Sequence, residues 1–287
     1  MAIRFQETLY GDEIFQGFTA EALVFEGATP FQKVQIFATA RWGKVLVLDG
    51  IVQTTEKDEF VYHEMLTHVP LFACNNPRRV MIVGGGDGGI LREVLKHDID
   101  RVDMVEIDRT VVDFCVTHMP SLNAAGAIYK DPRVELVIED AFVFMQRERR
   151  KYDAILVDST DPVGAAEVLF SNTFYDLCRN ALSPGGVLAL QDGVVFLQPE
   201  ESRQSMRLLR HMGLKARCYS IAVPTYYGGN MTLGLASDTI EVLQPNLDRL
   251  QERFRAQEFA TKHYTPELHY ASFILPRWMD AITGGLA

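Results

Sequence analysis

Residues 80–95 constrain the chain most. Val80, Met81, Ile82 and Val83 form a short apolar run, GGGDGG follows at 84–89, and a helical pattern resumes at Leu91. A strand running into a glycine-rich turn and then a helix lets the backbone come close to a ligand. A second apolar run at 102–105 ends in Glu106. An acid at the end of the second strand, roughly 20 residues after the turn, is placed to accept from ribose hydroxyls. Turn, strand and spaced acid together predict an adenosine-type ligand.

Asp87 does not suit a phosphate loop. Such a loop offers backbone N–H groups and a helix N-terminus to an anion. A carboxylate there repels phosphate, and no Lys follows as it does in a P-loop. Asp87 therefore either caps the next helix or faces a cationic group of the ligand. Gly88 and Gly89 leave its carboxylate unobstructed, which favours the second reading.

The bulk numbers exclude several classes. At 287 residues the chain has room for one large domain, or a small and a larger one. Its formal net charge of −10 argues against nucleic acid or an anionic membrane surface as the main partner, and suits cationic ligands. Cys74, Cys115, Cys178 and Cys218 lie far apart without a CxxC pair. That pattern fits a reducing, cytoplasmic setting and no structural zinc. The opening MAIRFQETLYGDEIF has no apolar signal core, and no apolar run is long enough to span a bilayer.

Residues 1–60 read as β. Alternation at 33–37 and 44–48, a turn at Trp42-Gly43 and Asp49-Gly50 between two short runs predict antiparallel hairpins. Residues 55–71 read as a helix, capped by Thr55 with Asp58 three residues on and closed by Pro70. Within it His63-Glu64 and His68 resemble a zinc protease motif, but the histidines are spaced i,i+5 and not the i,i+4 that shares a helix face, so no metal is expected. Tyr62 and His63 precede the glycine turn. They are either ligand-facing or ordinary half-buried helix residues.

From residue 78 onward strands alternate with helices. Strands are expected at 80–83, 102–105, 134–138, 154–157, 186–190, 216–220 and 231–236, and helices at 91–96, 110–118, 141–149, 171–181 and 200–211. This is the pattern of a doubly wound, mostly parallel sheet. Ligands of such sheets bind beyond the carboxyl ends of the strands, which makes Asp87, Glu106, Asp140, Asp158, Gln191 and Tyr226 the informative positions. Asp140 is a helix cap or an acceptor for an adenine amino group. Asp158 and Asp161 bracket a tight turn, and either shape that turn or face the cleft. Tyr226, in PTYYGG, belongs to a loop offering phenol groups and flexibility.

These residues resemble a known family. GGGDGG (84–89), VEID (105–108), VDSTDPVG (157–164), LQDGV (190–194), PTYYGG (224–229) and LDGIVQTTEKDEFVYHEMLTHVPL (48–71) look like the bacterial spermidine synthases, the polyamine aminopropyltransferases. The likeness runs over nearly the whole chain in family order and spacing. It implies a small N-terminal antiparallel β domain (1–65) and a Rossmann-like, seven-stranded catalytic domain (66–287), assembled as a homodimer or homotetramer. It implies transfer of an aminopropyl group from decarboxylated S-adenosylmethionine to putrescine, giving spermidine and methylthioadenosine, with no metal or cofactor. By position, Asp158 matches the residue that accepts the amine's proton and Asp87 the one that holds the donor's amine. Glu106 matches the ribose ligand, Asp140 and Ala141 the adenine side, and Gln32 and Gln53 amides near the nucleoside. Tyr62, His63, Asp161 and Tyr226 match the polyamine side. Ala165, on the nucleoside border, departs from the proline usual in the family, and this is expected to loosen a closing loop.

Other readings remain open from the residues alone. An S-adenosylmethionine-dependent N-methyltransferase would explain Glu106 and Asp140 but leaves Asp87 facing the donor's carboxylate. A non-enzymatic polyamine-binding protein would need no base at Asp158. Cadaverine, agmatine or a longer diamine would differ from putrescine by a few methylenes or a head group, worth about 1–3 kcal/mol in pocket fit.

Overall fold

The N-terminal strands form where polar and apolar residues alternate and the turns accept left-handed backbone. In the computed structural model, which describes residues 3–11, 13–159, 168–227 and 229–285, β1 (Ile3–Glu7) and β2 (Gln16–Ala20) pair as an antiparallel ribbon. β3 (Ala22–Ala28), β4 (Lys33–Thr39), β5 (Gly43–Leu48) and β6 (Ile51–Thr55) form a four-stranded antiparallel sheet in chain order. Leu48 pairs with Ile51 across Asp49 and Gly50, whose φ values are 49° and 83°. Positive φ at both central residues is what a two-residue hairpin turn demands, so the Asp-Gly signal read correctly.

The seven expected strands form one sheet. They are β7 (Arg79–Gly84), β8 (Arg101–Glu106), β9 (Val134–Ile138), β10 (Tyr152–Asp158), β11 (Leu182–Gln191), β12 (Lys215–Ala222) and β13 (Asn230–Ser237), in the order β12-β13-β11-β10-β7-β8-β9. Pairs from β9 to β11 are parallel, while β13 runs antiparallel to both its neighbours. The side-chain period of two sorts these strands onto two cores. Val80, Ile82, Ala154 and Leu156 face one, with α1 (Glu59–Ala73) and α2 (Gly89–Val94) over it. Met81, Val83, Ile155 and Val157 face the other, under α4 (Ala141–Arg147), α5 (Asn172–Ala181) and α6 (Pro199–His211). α3 (Arg109–His118) instead packs Val111 and Cys115 against Val34, Ile36, Leu46 and Leu48 of the smaller sheet. That contact brings the N-terminal strands over the carboxyl ends of β7 and β8.

The chain winds outward in both directions from β7 and β10, so the order reverses between them. A crevice opens at such a switch point. There Gly84 pairs with Asp158. Gly84 has φ 79°, and a Cβ on it would stand 2.2 Å from the Asp158 carbonyl oxygen. Only glycine lets the two strand ends meet.

The first helix differs from expectation at both ends. Thr55 is the last residue of β6, and its hydroxyl donates to Asp58 Oδ1 at 2.6 Å. Asp58 is the N-cap residue but makes no side-chain bond to the helix, because its Oδ2 accepts from the Thr225 backbone and hydroxyl at 2.9 and 2.6 Å. Pro70 sits inside the helix and does not close it. An interior proline costs about 3 kcal/mol in an isolated helix. Here Leu71 and Phe72 are fully buried beyond it, each worth about 1.5–3 kcal/mol. Arg253 of α7 (Leu247–Arg255) donates to the carbonyls of Phe72 and Cys74. The helix is buried all round, Glu59, His63, Glu64 and His68 included. α8 (Pro266–Ser272) and α9 (Arg277–Thr283) complete the described chain.

Candidate active site

A cleft of about 290 Å³ opens at the switch point, roofed by the N-terminal strands. Gln32, Gln53, Tyr62, His63, Asp87, Glu106, Asp140, Ala141, Asp158, Gln191 and Tyr226 all line it. Asp161 and Ala165 lie outside the described residues.

The cleft's acids differ in their surroundings. Asp158, at the tip of β10, accepts a 2.7 Å hydrogen bond from the Tyr62 hydroxyl on Oδ1, while Oδ2 lies toward Gly85 of the glycine turn. Burial, and then the charge of Asp87, push its carboxyl up to about 6. A carboxylate so placed is a better proton acceptor than an exposed one. Glu106, at the tip of β8, accepts from the Asp108 backbone N–H at 2.8 Å, and burial raises it to about 7.

Asp87 is engaged by two groups of the protein itself. Oδ1 accepts from the Gly89 N–H at 2.7 Å, which closes the turn ahead of α2. Oδ2 stands 3.3 Å from His63 Nε2. The other face of the His63 ring meets a second carboxylate, with Nδ1 2.6 Å from Glu59 Oε2. Burial works against a charged ring, yet Asp87 and Glu59 outweigh it and raise His63 well above the ordinary histidine value. Asn123 and Tyr129 brace the turn from outside by donating to the carbonyls of Asp87 and Gly86 at 3.1 and 3.0 Å.

The remaining predicted residues are held by their own neighbours. Asp140 is an N-cap, its Oδ1 accepting from the N–H groups of Phe142 and Val143 at 2.7 and 3.4 Å. Gln32 donates to Asp108 Oδ2 at 3.3 Å, and Gln53 to the Ile51 carbonyl at 3.2 Å. The Tyr226 hydroxyl donates to the Gln53 carbonyl at 2.6 Å, and its ring meets Tyr62 edge-on at 6.2 Å. The loop is tied down at Thr225 by Asp58 and at Tyr227, whose hydroxyl donates to the Glu7 carbonyl at 2.6 Å.

Sequence reading missed the far wall of the cleft. Glu7, Tyr10 and Gln16 of the first ribbon reach it, and the Tyr10 hydroxyl donates to Gln198 Oε1 at 3.1 Å. No local motif marks those positions. The near-protease motif disperses: His63 turns to Glu59 and Asp87, Glu64 accepts from backbone N–H groups of residues 262–264, and His68 meets His97 and Glu93. Among the described residues no group of three His, Cys, Asp or Glu side chains is arranged to hold a metal ion, and no helix is long and apolar enough to cross a membrane.

Comparison with known proteins accords with this geometry. Residues 59–246 match the Spermine/spermidine synthase domain, and residues 5–56 the Spermidine synthase tetramerisation domain. A polyamine aminopropyltransferase of Salmonella arizonae is 43% identical over 279 residues, which cover 96% of each chain. A spermidine synthase crystallised with the transition-state analogue AdoDATO aligns with a TM-score of 0.92 at 33% identity, over 98% of this chain and 95% of the other. The spermidine synthase of Thermotoga maritima aligns with a TM-score of 0.90 at 32% identity, over 99% and 95%. A cleft of spaced acids at the switch point, two family models covering most of the chain and relatives matched end to end make this chain a member of the spermine/spermidine synthase family, an aminopropyltransferase.

Proposed function

We propose that the donor is decarboxylated S-adenosylmethionine and the acceptor putrescine, with spermidine and 5'-methylthioadenosine as products. The observation that carries this reading is the pair Asp87 and Asp158, two acids close enough for one charge to raise the other, in a cleft whose β8 tip carries Glu106. Glu106 takes the ribose hydroxyls, and Asp140 with Ala141, Gln32 and Gln53 border the nucleoside. Asp87 takes the donor's ammonium. Tyr62, His63, Asp158, Asp161 and Tyr226 take the polyamine side, and Ala165 borders the nucleoside.

The chemistry follows from the groups present. An alkylammonium has no lone pair, and its pKa is near that of lysine, ~10.4. Asp158 accepts its proton as the nitrogen bonds to the carbon beside the sulfonium. The C–S bond breaks, and its electron pair stays on sulfur as a neutral thioether. The sulfonium supplies the leaving group, so no metal or prosthetic group is required. The protein contributes alignment, charge and exclusion of water.

The match to a tetramerisation domain supports assembly into a homodimer or homotetramer through the N-terminal strands, and the scattered cysteines support a cytoplasmic setting. Incubation with each sulfonium donor plus putrescine tests the reading. Methylthioadenosine should form at least about 10-fold faster with the decarboxylated donor than with S-adenosylmethionine. S-adenosylhomocysteine would mean methyl transfer, and faster turnover of cadaverine or agmatine than of putrescine would replace the acceptor.

A further inference from the structure

We propose that Glu59 is a positioning residue: through His63 it fixes where the Asp87 carboxylate stands, and so sets affinity for the amine end of the donor. The proposal rests on the donor assignment above. Glu59 is the first residue of α1, is 6% exposed, and is not part of the cleft wall. Its Oε2 meets His63 Nδ1 at 2.6 Å, one helical turn on, and Arg92 Nη2 of α2 at 2.8 Å. His63, 2% exposed, carries the contact across to Asp87 Oδ2 at 3.3 Å.

The ring packs closely on the glycine turn. A Cβ at Gly89 would stand 2.1 Å from the His63 ring, so the imidazole lies flat against the turn that carries Asp87. A carboxylate facing each nitrogen favours the imidazolium, the one form of the ring with a proton on both. The charged groups facing it are Glu59 on its own helix, Asp87 on the turn and, farther off, Asp158 on β10, with Arg92 behind Glu59. Asp87 is then held by the Gly89 N–H on Oδ1 and by the ion-pair contact with His63 on Oδ2. Without the Glu59 charge the ring loses one of the two carboxylates that favour its charged form and can settle as a neutral tautomer. Nε2 then need not donate to Asp87, and the carboxylate is free to turn. Arg92 keeps a partner in Glu93, 2.9 Å from its Nε.

A double-mutant cycle on donor binding tests this. Glu59→Gln, Asp87→Asn and the double variant are titrated calorimetrically with decarboxylated S-adenosylmethionine and with methylthioadenosine, which lacks the aminopropyl amine. Glu59→Gln should weaken the donor about 10-fold, the loss of one charge-assisted contact, and leave methylthioadenosine within about 2-fold. The double variant should bind the donor no more weakly than Asp87→Asn alone, because both changes break one chain of contacts. Additive losses, or equal weakening of both ligands, would overturn the proposal. Nitrogen NMR of the His63 ring in the unsubstituted, ligand-free protein needs neither a variant nor the donor. It should show the imidazolium at pH 7, and a neutral ring there sinks the idea. If the unsubstituted protein binds methylthioadenosine but not the donor, while its charged ring becomes neutral in Glu59→Gln, the donor assignment fails and the Glu59–His63–Asp87 coupling stands.

Discussion

Replacing Asp87 by Asn tests the donor assignment most directly. S-adenosylmethionine and its decarboxylated form share adenosine, sulfonium and amine, and differ by one carboxylate. If Asp87 holds the amine, that carboxylate lies beside a second negative charge. At ~4 Å and an effective dielectric of 20 the repulsion is about 4 kcal/mol. His63 reduces it. Its Nε2 stands 3.3 Å from Asp87 Oδ2, and a cation about 7 Å from the donor carboxylate returns about 2.4 kcal/mol at the same dielectric. The difference, about 1.6 kcal/mol, is a preference of roughly 10- to 20-fold for the decarboxylated donor. Asp87→Asn removes the repulsion and the amine's partner together, while His63 remains. Binding of the decarboxylated donor should weaken, binding of S-adenosylmethionine should hold or improve, and the ratio should fall to one or below. Calorimetric titration of both donors against both proteins measures this. If the parent binds the two equally, or Asp87→Asn lowers both affinities by the same factor, Asp87 serves only the Gly89 turn.

Asp158→Asn should keep the fold and most donor binding but cut turnover by ~10²–10⁴. In the parent, kcat/KM for the acceptor should fall on an acid limb near pH 6, where Asp158 protonates. Turnover within a few-fold of the parent would remove Asp158 from the chemistry. Asp192 is 1% exposed, accepts from Ser205 and Cys218, and burial raises it to about 7 from an ordinary 3.8. A carboxyl raised by folding contributes stability that is fully present below its ordinary value and is lost as pH rises through about 7. Asp192→Asn should therefore gain stability relative to the parent at pH 8 compared with pH 5, by up to about 2.7 kcal/mol, read as a rise in melting temperature; a difference constant with pH contradicts this. Arg253→Met should cost about 2–4 kcal/mol in denaturant unfolding, because the carbonyls of Phe72 and Cys74 lose their donor. A change within error would mean that burial alone holds the end of α1.

What could be read from the residues, and what could not, divides by the range of the interaction that decides each feature. The strands of the large sheet were legible because apolar runs such as Val80–Val83 and Ala154–Val157 are bounded by turn residues, and each run decides its own conformation. The acids at their ends were legible for the same reason: Asp87, Glu106, Asp140 and Asp158 fall at the tips, and the sheet's order brings the tips to one cleft. The direction of β13 was not legible, since nothing local tells a parallel from an antiparallel neighbour. α1 was misread at both ends because its termini are decided by residues far along the chain, Thr225 taking Asp58 and Arg253 taking the last carbonyls. α7 to α9, of seven to nine residues, are too short for periodicity to separate from turns. The same division runs through the site. Position gave Asp87 a cation to hold, but one of its oxygens is taken by its own turn and the other by a histidine from α1. That histidine in turn meets Glu59, which pairs with Arg92, and neither of these two residues has a motif of its own. A strand-tip acid is thus readable as a candidate from sequence, while its readiness for chemistry is set by partners that only the packed fold supplies.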